Sequence, residues 1–189
     1  LNLSAHAILG QAFLTCRDLR QVMELFLNYY HLLAANLELQ MDVDARQCRL
    51  VVLSTPEAPL QVFYYELLFG SILNTLRGLL NTTDVPLTVE APYPAPPHSD
   101  RYRAVFGSSV QFDCPQGAVS FPAALLATPL PSSNPALKRL YEEECARLLA
   151  DLEEAGSTTE QTLRLLRKFE GQYPQMPKIA RMLNLSPRT

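Results

Sequence analysis

Proline placement is the feature that most limits what this chain can build. The sequence holds fifteen prolines against seven glycines, and the prolines cluster. Proline fixes φ and removes a backbone donor, so it is excluded from helix interiors and central strands. Ala91-Pro-Tyr-Pro-Ala-Pro-Pro97 is therefore read as a stiff extended loop, Pro56 and Pro59 as punctuation, and Pro129-Leu-Pro-Ser-Ser133 as a linker. Two further prolines follow a residue suited to capping a helix, in Asn134-Pro135 and Ser186-Pro187. An N-cap followed by proline at the first helical position marks a helix start.

Between these breaks the apolar residues are periodic. Thr15-Cys-Arg-Asp18 has the form of a capping box ahead of Leu19, Val22, Met23, Phe26, Tyr29, Tyr30 and Leu33. Spacings of three and four predict a helix of about five turns with one broad apolar stripe, ended by Asn36. Leu37–Val43 alternates apolar and polar, Asp44-Ala-Arg46 is a turn, and Cys48–Ser54 is the partner strand of a hairpin. From Leu60 to Leu80 a second long helix places Val62, Tyr65, Phe69, Ile72, Leu73, Leu76 and Leu79 on one face. Leu67, Leu68 and Leu80 widen that face, so this helix is expected to be largely buried, with Gly70 and Gly78 weakening it locally. Val85–Glu90 is strand-like, and Asp100–Phe106 is a short helix stopped by Gly107. Val110–Asp113 and Ala118–Phe121 read as a second hairpin around Cys114-Pro-Gln-Gly117, and Pro122–Leu126 as one more helical turn. After the linker, Leu137, Tyr141, Cys145, Leu148 and Leu152 form a narrow, near-heptad seam on a charged helix that Gly156 ends. That seam is the candidate dimerisation surface.

This order predicts an α+β fold with a mainly antiparallel sheet covered by two long helices. An all-helical linker and the start of a helix-turn-helix domain follow. The expected boundaries are 1–131 for the α+β domain, 132–156 for the linker helix and 157–189 for the beginning of the terminal domain. The chain starts at Leu1 rather than Met and is read as a piece of a longer protein, trimmed at both ends.

Composition narrows the function classes. No run of about 18 uncharged apolar residues occurs, so no spanning helix and no membrane partner is expected. The N-terminus lacks the basic region of a secretory signal. Cys16, Cys48, Cys114 and Cys145 show neither CxxC spacing nor a cluster with histidine, which reads as buried thiols of a reducing, cytoplasmic compartment. No GxSxG, HExxH, phosphate loop or GxGxxG motif is present, so no enzyme activity, metal or cofactor is expected. His31 on the aromatic helix reads as packed near Tyr30 rather than as a ligand.

Charge is unevenly distributed. Residues 157–189 carry +4, from Arg164, Arg167, Lys168, Lys178, Arg181 and Arg188 against Glu160 and Glu170, while residues 1–156 carry −7. A basic terminal module on an acidic body suits a polyanion such as DNA, or is a solvated helix face. Pro177–Leu183 predicts a two-turn helix with Ile179, Ala180 and Leu183 inward. Asn184-Leu185 is a turn, and Ser186-Pro187 starts another helix. This is how a helix-turn-helix opens, though an ordinary helical hairpin has the same outline. Lys178, Ser186 and Arg188 are the candidate DNA contacts.

The run Ile179-Ala-Arg-Met-Leu-Asn-Leu-Ser-Pro-Arg-Thr189 resembles the first helix-turn-helix of AraC/XylS-type transcriptional regulators. Tyr102-Arg-Ala-Val-Phe-Gly107, Val110, Phe112, Ser120-Phe-Pro-Ala-Ala-Leu-Leu126, Pro129-Leu-Pro131 and Asn134-Pro-Ala-Leu137 resemble the effector-domain end of the branch holding the ornithine-utilisation and virulence regulators. The resemblance implies a ligand-sensing N-terminal domain, a helical linker used for homodimerisation, and a C-terminal domain with two helix-turn-helix units that binds promoter DNA in the full-length protein. An effector site is expected where the two long helices cover the sheet, with Phe26, Tyr30, Phe63, Tyr64 and Phe69 as candidate lining. Glu66 is the candidate polar anchor, since a buried carboxylate must be paired or protonated. The aromatics also read as plain core, with Glu66 reaching solvent. Arg101, Tyr102 and Arg103, beside the proline loop, are candidates for gripping an anionic effector. The competing function is a stand-alone ligand-binding or enzymatic α+β domain with a structural helical tail.

Overall fold

A computed structural model describes residues 3–34, 37–54, 60–107, 110–155 and 174–183, together with 162, 163, 165, 166 and 169. The chain divides into two compact units, Leu1–Cys145 and Ala146–Thr189. The first is α+β. It opens with helices α1 (Leu3–Leu14) and α2 (Leu19–Tyr29), which tightens into a 3-10 turn at Tyr30–Leu32. Strands β1 (Glu38–Val43) and β2 (Gln47–Ser54) and helix α3 (Gln61–Leu80) follow. Next come β3 (Thr88–Glu90), α4 (Asp100–Phe106), β4 (Val110–Gln111), β5 (Gly117–Pro122) and a 3-10 turn at Ala123–Ala127. Helix α5 (Pro135–Ala155) crosses the unit boundary, and α6 (Met176–Met182) lies in the second unit.

The sheet order is β1-β2-β5-β3-β4, antiparallel except for the β3–β4 pair. The β1–β2 hairpin forms as expected. The Asp44 carboxylate closes its turn by accepting from the Arg46 and Gln47 amides at 2.7 and 2.8 Å. The expected hairpin from Val110 to Phe121 does not form: β3 inserts between its two arms, pairing parallel with β4 and antiparallel with β5. Leu50, Val119 and Val89 sit side by side across β2, β5 and β3, all buried, and form the inner face of the sheet. Next to that row on β5 is Gly117, and a Cβ there would lie 2.1 Å from the Tyr65 ring of α3. On the outer face Arg49 reaches across β5 to Glu90 with two charge-assisted bonds of 2.7 and 3.1 Å.

Three expectations about the helices change. Helix α1 was not anticipated, because its apolar residues are not confined to one face and so leave no stripe to count. The capping box sits three residues later than predicted. Asp18 is the N-cap of α2 and accepts from the Gln21 amide at 2.9 Å, while Gln21 Oε1 accepts from the Arg17 amide. Thr15 instead closes α1, donating to the Ala12 carbonyl at 2.8 Å. Helix α2 stops at Tyr29, short of the predicted end; Asn36 lies outside the described residues. Helix α3 is narrower in its burial than predicted. Tyr65, Phe69, Leu73, Leu76 and Leu79 are buried, but Phe63 and Leu67 are 63% and 57% exposed.

The segment expected to be a linker is docked. Thr128 O accepts from the Leu19 amide at 3.2 Å, and the Leu130 and Asn134 amides donate to Arg17 O and Thr15 O at 2.9 Å each. Ser132 Oγ donates to Leu14 O. The α1–α2 corner is thus laced along residues 128–134. Asn134 then caps α5 as predicted, accepting from the Leu137 amide at 3.1 Å.

Candidate functional site

Helices α1, α2 and α3 do not close against one another above β2. They leave a cavity of about 730 Å³ lined by Leu9 and Phe13 of α1, Val22, Met23 and Phe26 of α2, Tyr64, Leu68 and Ile72 of α3, and Leu50 of β2. The α2 stripe supplies one wall because its apolar residues recur every three or four positions. Phe26 packs edge-on against Phe13 at 6.4 Å and against Tyr30 at 5.9 Å. The polar side chains on the wall are Tyr30 and Tyr64 within it and His6, Gln11, Ser71, Asn74 and Thr75 at exposed positions. The Tyr30 hydroxyl accepts from the Leu39 amide at 3.2 Å. Burial raises the pKa of Tyr30 and of Tyr64, whose hydroxyls lie within electrostatic reach of each other, so both remain neutral donors.

A second, polar cavity of about 680 Å³ is lined by Glu66, Pro97, His98, Asp100 and Arg101. Here the proline loop and α4 fold over α3. Glu66 Oε1 accepts from the Tyr102 hydroxyl and lies 2.8 Å from His98 Nε2. The Tyr102 hydroxyl is 3.2 Å from that of Tyr93. Burial works against a charged Glu66, but the hydrogen bonds from His98 and Tyr102 outweigh it and hold the carboxyl below the usual range. Burial first, then the bond to Glu66, pushes the Tyr102 hydroxyl far up, so it stays a donor. An aromatic cluster supports this arrangement: Tyr65 and Tyr93 stand 5.8 Å apart, Tyr102 and Phe112 5.1 Å.

The structure separates the sequence candidates. Phe26, Tyr30 and Tyr64 line the apolar cavity. Glu66 and Arg101 line the polar one. Phe69 lies in the core, with its ring 5.3 Å from that of Tyr65, and Phe63 is exposed; neither lines a cavity. Arg103 is exposed on α4 and lines neither. Sequence reasoning missed the contribution of α1 altogether, as well as His98 and Tyr93 near Glu66, and it grouped Tyr102 with Arg101 and Arg103 rather than with Glu66. The only available signal was the aromatic content on both sides of the proline loop.

The seam residues are also divided. Leu137 is 42% exposed, and Tyr141, Leu148 and Leu152 are half-buried. Cys145 is fully buried within electrostatic reach of Tyr29. Burial pushes the thiols of Cys16, Cys48 and Cys145 up to about 11, which leaves them unreactive. Lys178 is exposed in the first turn of α6, where Ile179 and Ala180 are buried. Ser186 and Arg188 lie outside the described residues. Among the described residues no group of His, Cys, Asp or Glu is placed to hold a metal, and no helix is long and apolar enough to cross a membrane.

Comparison with known proteins adds the context. Residues 1–130 match the family described as the arabinose-binding domain of AraC transcription regulators, N-terminal. The ornithine utilization regulator of Pseudomonas aeruginosa is 33% identical over 190 residues, covering 100% of this chain and 56% of that protein. The chain therefore spans a little over half the length of that curated relative. The crystal structure of the transcriptional regulator CdpR from Pseudomonas aeruginosa has the same fold, with a TM-score of 0.61 at 15% identity over 100% of this chain and 62% of that one. All three comparisons are with transcription regulators rather than enzymes.

Proposed function

The chain belongs to the AraC-type transcription regulators that carry an arabinose-binding-like N-terminal domain, and on that premise we propose that residues 1–131 sense a small-molecule effector and relay its presence to a DNA-binding domain. The observation that carries this reading is the cavity of about 730 Å³ between α1, α2, α3 and β2, a size typical of small-ligand sites.

A relay needs one element touched by both ligand and output. Helices α1 and α2 wall the cavity, and the corner that joins them is laced to residues 128–134. Further along, α5 brings Lys138 and Glu142 within electrostatic reach of Cys16, and Cys145 within reach of Tyr29. A ligand that prefers one setting of α1 and α2 therefore biases the start of α5. The exposed part of α5, with Leu137 and Leu140, together with Leu148 and Leu152, is the proposed homodimer contact. In the full-length regulator, α6 is the first helix of the helix-turn-helix in the DNA-binding head, with Lys178, Ser186 and Arg188 toward the promoter and the linker helix spanning 132–156.

The full-length protein tests this directly. Tight, sequence-selective promoter binding that weakens steeply with salt is expected. No binding at low salt overturns the reading in favour of a stand-alone ligand-binding domain. The relative is named for ornithine utilization.

A further inference from the structure

Among the described residues no Asp, Glu, Lys or Arg lines the apolar cavity. A charged ligand group carried inside would lose its hydration and, among the described lining, would find only the exposed His6 imidazole at the rim as a possible counter-charge. Glu38, the carboxylate felt at Tyr30, further disfavours negative charge at that end. The Tyr30 hydroxyl accepts from the Leu39 amide and keeps its own proton to donate. Two glycines provide an independent observation. Gly10 of α1 and Gly78 of α3 both line the cavity, and a Cβ built at either meets nothing within 4 Å. Glycine inside a helix is unfavourable, and no packing neighbour requires it at either place. Beside Gly10 lies cavity space, and beside the exposed Gly78 lies the open mouth of the cavity. Gly70 of α3 has equally open surroundings but does not line the cavity, which makes it the control.

We propose that this cavity takes a neutral, largely apolar small molecule, with one uncharged polar group hydrogen-bonded at Tyr30 and Tyr64 and its body running past Gly10 and Gly78. This rests on the cavity being the effector site. It also separates this chain from any regulator whose effector is a charged amino acid.

The test titrates the full chain with four probes, 1-octanol, octanoate, octylamine and ornithine, by calorimetry and thermal melting. The alcohol is expected to bind, and the three charged probes to bind more than about tenfold more weakly. Gly10→Leu and Gly78→Leu should each weaken the alcohol by more than about tenfold without lowering the melting temperature, since leucine favours the helix. Gly70→Leu should leave affinity unchanged. If a charged probe binds as tightly as the alcohol and is displaced by the glycine variants, the effector site stands and the proposed ligand class falls. If alcohol binding survives both glycine variants, the cavity is not the site and the functional reading falls with the proposal. Absence of binding by every probe overturns the proposed ligand class.

Discussion

Gly117 shows how a single residue sets the geometry of the aromatic layer. The Tyr65 ring lies where a side chain on β5 would be, 2.1 Å from the position of an added Cβ. Tyr65 is itself buried and wedged against Phe69 and Tyr93, so it has nowhere to retreat. Gly117→Ala is expected to destabilise the protein by about 1–3 kcal/mol through overpacking, measured by urea unfolding. In the sequence Gly117 reads as an ordinary turn residue, because its constraint comes from a helix some fifty residues away. Glu66 was more legible. A carboxylate among apolar neighbours was expected to need a partner, and it has two, but His98 and Tyr102 are 32 and 36 positions distant and were not foreseeable. The pH consequence follows from the sign of the shift. A carboxyl held below its unfolded pKa contributes stability above that value and loses it as pH falls through the folded value. Glu66→Gln should therefore flatten the acid side of the stability curve and leave the neutral region less stable than wild type, as read by thermal melting from pH 3 to 7. An unchanged acid limb would mean Glu66 has no part in it.

At the scale of elements, periodicity carried the strongly patterned pieces. The β1–β2 hairpin, α3, α4 and the capped start of α5 were all visible from spacing and end signals. Two kinds of element were not. Helix α1 presents no single apolar face in its sequence, because apolar residues such as Ala7 and Leu14 also occupy its exposed side. The β3–β4 pairing is long-range, so Cys114-Pro-Gln-Gly117 looked like a hairpin turn while its two flanking strands bond to β3 instead. The α1–α2 corner tests how much the caps matter. Asp18→Ala removes the acceptor for the Gln21 amide and should cost about 1 kcal/mol. If that corner relays the effector, the same change should also alter the ligand response of promoter binding. Gly78→Ala makes the opposite prediction for stability, a gain of about 1 kcal/mol in denaturant unfolding, since the open space imposes no clash.

At the scale of the whole molecule, the α+β class, the regulator family and the absence of catalytic motifs were all readable from the chain. The proposed dimer contact is the part whose sequence pattern equally suits internal packing. Leu137, Tyr141, Cys145, Leu148 and Leu152 make one stripe on paper, yet Cys145 is buried within the first unit while Leu137 is exposed. Leu148→Glu is expected to give a monomer by light scattering, and a dimer that persists unchanged would assign the stripe to internal packing alone.

The lacing of residues 128–134 onto the α1–α2 corner has a kinetic consequence. Leu14 and Ser132 are 118 positions apart, so α1 is fastened by a segment synthesised more than a hundred residues after it. Closing so large a loop is slow, and its contacts give nothing until it closes. During synthesis the apolar walls of α1 and α2 must wait, half-covered, for more than a hundred residues to emerge. Chains halted before Asn134 should be protease-sensitive and prone to aggregate, and those released a few residues later should not.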